Sequence, residues 1–111
     1  MAVELVLLSD IALTPDTMAE VASGVIPDGT GISYRGGEIT QFVDAAGEAV
    51  LTVFDSMPVH FSSEAAAQLK DPPSAFALWT EITIPFQHSA QGQPLAAAFA
   101  SAVGGVLKEK R

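Results

Sequence analysis

The sequence predicts a single α+β domain with a mainly antiparallel sheet, and three observations carry that expectation. Residues 31–55 tend to alternate apolar and polar positions and are interrupted at Gly36-Gly37 and Ala45-Ala46-Gly47, the pattern of three short strands joined by tight turns. Residues 3–8 are apolar except for Glu4, as in a strand covered on both faces. Two stretches place apolar residues at helical spacing: Met18, Val21, Ala22 and Val25, then Leu95, Ala98, Phe99, Ala102, Val103 and Val106. A length of 111 residues suits one domain spanning 1–111.

The first strand, residues 3–8, is expected to be the spine of the sheet. Thr14 then offers an N-cap oxygen, Pro15 suits the first helical position, and Asp16 places negative charge at the positive end of the helix dipole. Gly24, or the Pro27-Asp28-Gly29 cluster, ends that helix. In the meander, Gly36-Gly37 signals a two-residue hairpin turn. Its third strand sets Ala49, Leu51 and Val53 on one face and Val50, Thr52 and Phe54 on the other, which predicts burial on both sides. Pro58 closes the meander.

Ser62 or Ser63 caps a short second helix over residues 64–69, and the prolines of Asp71-Pro72-Pro73-Ser74 impose a loop. Residues 76–84 form a long strand with Phe76, Leu78, Ile82 and Ile84 facing one way and Ala77, Trp79, Glu81 and Thr83 the other. Residues 85–92 are a polar loop containing His88, and Pro94 opens the last helix. Gly104 and Gly105 within it each cost about 1 kcal/mol relative to alanine, and mark close packing, a kink or the point of fraying. The basic end, Lys108 to Arg111, complements the negative pole of that helix. The expected order is β-α-β-β-β-α-β-α: about five strands with the helices mostly on one face, as in a ferredoxin-like arrangement with an extra hairpin strand.

Composition narrows the function. With 49% hydrophobic and 16% charged residues the chain is too apolar to be disordered, although much of that fraction is alanine and the core is accordingly thin. The formal charge is -8, and before Lys108 only Arg35 and Lys70 are positive. Such a body repels phosphate backbones and anionic membranes and attracts a basic protein, though acidity also serves solubility. The absence of cysteine removes disulfides, thiolate nucleophiles and thiolate metal sites. The opening segment has Glu4 and no basic flank, so it reads as a strand rather than a secretory leader, and no apolar run approaches the roughly 20 residues that span a bilayer. A cytoplasmic location is expected.

No catalytic signature is present. His60, His88, Asp10 and Asp55 fall in loops or at strand ends and would form a metal or acid/base site only if those ends converged; the spacing supplies no metal ligand set, and neither a cofactor nor a metal is expected. Ser9-Asp10 and Asp55-Ser56 with His60 contain nucleophile, acid and base types without the elbow that exposes a catalytic serine. The glycine-rich Asp28-Gly29-Thr30-Gly31 and Arg35-Gly36-Gly37 lack a phosphate-loop lysine and read as turns. Trp79, with Glu81 and Thr83 beside it, is the candidate partner-binding group if the sheet face opposite the helices is open; a last helix folded over that face would bury it. Ala96, Ala100 and Gly104 form a small-residue row that admits a second helix or packs on the chain's own sheet, leaving monomer and homodimer both open.

Two functions compete. The first is a small acidic non-enzymatic protein that binds another protein, of the inhibitor, immunity or regulatory type. The second is a dimeric small-molecule enzyme or ligand-binding domain with an apolar pocket between sheet and helices, made polar by His60 or His88.

Overall fold

The computed structural model describes residues 2–59 and 76–109. Its elements are β1 (Ala2–Ser9), α1 (Pro15–Val25), β2 (Thr30–Tyr34), β3 (Ile39–Val43), β4 (Ala49–Phe54), β5 (Met57–Pro58), β6 (Leu78–Pro85), α2 (Ser89–Ala102) and β7 (Val106–Glu109), with single 3-10 turns at Arg35–Gly37 and Phe86–His88. The seven described strands form one sheet in the order β2-β3-β4-β6-β1-β7, and the short β5 continues the line of β4 along β6. Every pairing among them is antiparallel. The α+β class and the antiparallel sheet are as expected, but the strand count is seven rather than about five. The short helix expected at 64–69 lies outside the described residues.

β1 is the spine. It pairs with β6 along its whole length and with β7 on its other side, and Leu5 to Ser9 are buried. α1 starts as its sequence requires: the Thr17 N–H donates to Thr14 Oγ1 at 3.2 Å, and Pro15 and Asp16 occupy the first turn. It continues through Gly24 to Val25, before Pro27. Met18 and Ala22 are buried and Val21 and Val25 pack against the same core.

The last helix departs from expectation at both ends. It begins at Ser89, so Pro94 lies inside it rather than at its start. It stops at Ala102, where Gly104 (φ 63°) takes the left-handed position, the Gly104 N–H donates to the Ser101 carbonyl and the Gly105 N–H to the Ala100 carbonyl at 2.8 Å. This pair of bonds terminates a helix. Val106 to Glu109 then pair with β1 as a strand, so the basic residue Lys108 belongs to the sheet and not to a helix end. Helical spacing continued to Val106 only because a strand residue happened to fall in phase.

Both described helices cover one face. Leu5, Leu7, Phe42, Leu51, Val53, Ile82 and Ile84 from the sheet meet Met18, Ala22, Leu95 and Phe99 from the helices, and Val103 just past α2, in one core. The rings of Phe42 and Phe99 lie 5.5 Å apart and tilted by 49°. Ala96 and Ala100 are buried within the chain, so their row is taken by internal packing and not presented to a second helix. Gly92 brings α2 hard against the sheet: a β-carbon there would lie 2.8 Å from the Val50 carbonyl and collide with Ile84.

Two turns shape the edge hairpins. The β2–β3 connection is a four-residue loop, because Tyr34 and Ile39 still pair. Arg35, Gly36 and Gly37 all have positive φ, more than the two residues of the expected turn. The β3–β4 turn is built on Asp44, whose Oδ1 accepts from the N–H groups of Ala46 and Glu48 at 2.9 and 3.0 Å.

Candidate functional site

Strand register defines the sheet face that carries no described helix. In the β1–β6 pair, Glu4 stands opposite Thr83, Val6 opposite Glu81 and Leu8 opposite Trp79. In the β4–β6 pair Thr52 stands opposite Thr83, and in β3–β4 Gln41 meets Thr52 while Ile39 meets Phe54. Tyr34 and Ile32 of edge strand β2 complete the rows opposite Ile39 and Gln41. Facing side chains of an antiparallel pair share a side. Trp79, Glu81 and Thr83 therefore stand on the face without a described helix, as the alternation of residues 76–84 predicts.

Trp79, however, is buried rather than exposed. It retains 9% of its surface and forms a second small core with Val6 and Leu8, against which Val59 and Phe76 pack. Phe76 thus sits with Trp79 and not with Ile82, because it precedes β6 and escapes its alternation. The last helix does not cover this face either. Trp79 is accordingly a packing residue of the sheet's other side, and Glu81 and Thr83 are half-buried beside it.

The open apolar surface lies farther along the same face. Tyr34 and Phe54 keep 46% and 37% of their surface, with half-buried Ile39 between them in register and Ile32 exposed next to Tyr34. A depression of about 130 Å³ bounded by Glu4, Phe54, Glu81 and Thr83 joins that row to the acidic part of the face. Sequence reasoning reached Glu81 and Thr83 but missed Tyr34 and Phe54. Phe54 ends a strand whose alternation predicts burial on both sides, yet the ring stays partly exposed.

The second candidate region lies where the end of α1, the β3–β4 turn and the start of α2 meet around a cleft of about 560 Å³. Ile26, Asp28, Asp44, Gln91 and Pro94 are among its lining residues. His88, in the turn before α2, places Nε2 3.3 Å from Glu48 Oε2 and Nδ1 3.2 Å from Gln91 Oε1. Ligand atoms of Asp44, Glu48 and His88 all lie within 4.8 Å of one another.

Asp10 and His88, both singled out from the sequence, do not converge. Asp10 follows the end of β1 that pairs with Leu78, while His88 follows the opposite end of β6, so they are separated by a strand pair about 25 Å long. Asp10 Oδ1 accepts from the Ala77 N–H at 3.1 Å. Asp55 is exposed and borders a small depression shared with Leu13 and Met18. The Ser9 hydroxyl donates to the Ile11 carbonyl and the Ser56 hydroxyl pairs with that of Thr80, so both serines serve local structure. His60 lies outside the described residues.

No described helix is long and apolar enough to cross a membrane. The chain matches no protein-family model, no curated protein and no solved structure.

Proposed function

We propose that this protein acts by binding another protein through the face of its sheet that no described helix covers. The observation that carries the proposal is the row Tyr34, Ile39 and Phe54, which is in register across three strands and exposed at both ends. Uncovered aromatic side chains next to polar ones are the composition of an interface core with its rim. Glu4 and Thr83 border that row, so the partner presents an apolar centre with a basic group at one side. Trp79 contributes by supporting the floor of the face rather than by inserting into the partner. An inhibitor, immunity or regulatory role fits a small acidic domain whose face is complementary to a basic surface.

The strand order β4-β6-β1-β7, with α2 bridging the parallel pair β6 and β7 across β1, supports the ferredoxin-like reading, the β2–β3 hairpin being added at one edge. Against the alternative of an apolar pocket between sheet and helices stands the packing there: Val50, Leu51, Leu95 and Phe99 have no exposed surface. One observation favours a ligand-binding role all the same, the open cleft beside His88.

Solution mass over a range of concentrations separates a foreign partner from a second copy. A monomer leaves the face free for a different protein. A dimer that Phe54→Ser dissociates would assign the face to self-association and remove the proposal.

A further inference from the structure

The cleft beside α2 carries chemistry that protein binding at the sheet face does not use. Asp44 and Glu48 are held side by side by their turn: the Asp44 N–H donates to the Glu48 carbonyl at 2.9 Å, and Asp44 Oδ1 takes the N–H groups of Ala46 and Glu48. Asp44 Oδ2 makes neither of these bonds. His88 reaches the same place from a different part of the chain, and its ring is oriented by a group that is not a ligand. The Gln91 side-chain amide pairs with Nδ1 at 3.2 Å and holds the ring in place. Nε2, the other ring nitrogen, stands 3.3 Å from Glu48 Oε2.

We propose that Asp44, Glu48 and His88 bind one divalent transition-metal ion at the mouth of the cleft, with Gln91 as the residue that positions the histidine. The outer-shell bond on Nδ1 is the arrangement that metal-ligating histidines use to set tautomer and ring direction. Atoms sharing an ion at about 2.1 Å stand roughly 3.4 Å apart in tetrahedral geometry; His88 and Glu48 already stand 3.3 Å apart, and Asp44 lies within 4.8 Å of both. The imidazole selects zinc-like ions over magnesium and calcium. The charge of -8 raises the local cation concentration, and the cleft lined by Asp44 and Gln91 gives the remaining coordination positions room for water or an anionic ligand.

The test is calorimetric titration of zinc chloride into the full chain after treatment with EDTA. One ion should bind per chain, magnesium should give no heat, and His88→Ala and Glu48→Gln should each weaken zinc by about tenfold or more. Gln91→Ala should weaken it less, and His60→Ala should leave it unchanged. A readout in the unmodified chain guards against folding defects: paramagnetic cobalt should broaden the backbone amide signals of Ala46 and Glu48 first. Absence of zinc binding up to about 1 mM, binding insensitive to His88→Ala, or broadening centred elsewhere would overturn the assignment.

Discussion

Trp79 faces Leu8 across the β1–β6 pair, and both are buried on the side of the sheet that no described helix covers. The domain therefore has a core on each face of β1, a large one under the helices and a small one around the tryptophan. Emission from this only tryptophan should be blue-shifted and resistant to acrylamide. Trp79→Ala should destabilise the fold by about 3 to 5 kcal/mol in urea melts. Red-shifted, readily quenched emission would place the ring in solvent and undo the second core.

Phe99 anchors the main core. It has no exposed surface and touches the ring of Phe42. Phe99→Ala should cost about 3 to 5 kcal/mol, a large share of the stability of a domain this size. A loss under half of one kcal/mol would be incompatible with α2 packing through this residue.

Alanine is ordinarily worth about 1 kcal/mol more than glycine inside a helix. At Gly92 the sign should reverse. The added methyl meets the Val50 carbonyl and Ile84, so Gly92→Ala should lower stability by about 1 to 3 kcal/mol through overpacking. A stabilised variant would mean that α2 stands farther from the sheet.

Lys108 and Glu109 extend the pairing of β7 with β1 opposite Val6 and Leu5. Truncation after Leu107 removes those ladder bonds and should cost about 1 to 2 kcal/mol. Had these residues been a frayed helix end, their loss would be nearly silent.

Local chemistry made much of this fold legible. Thr14, Pro15 and Asp16 announce a helix start through their own hydrogen bonding and charge, and the apolar run of β1 announces a central strand, so both were readable. Val106 was not, because helix and strand periods coincide over a few residues; the decisive signal was Gly104, whose left-handed conformation ends α2. Phe54 and Tyr34 alternate like covered strand residues, and both described helices lie on the other face of the sheet. Asp44, Glu48 and His88 lack any sequence spacing that marks a ligand set, since the β3–β4 turn and the start of α2 meet only in the folded chain.

Protein binding at the sheet face is tested most directly by paired affinity capture from the native cell with quantitative mass spectrometry. The baits are the wild-type chain and the Tyr34→Ser, Phe54→Ser double variant, which alters exposed side chains and should stay folded. One protein with a basic surface should be retained by the wild type and lost from the variant at equal bait level. Identical capture profiles from two equally folded baits would contradict a partner-binding role for this face.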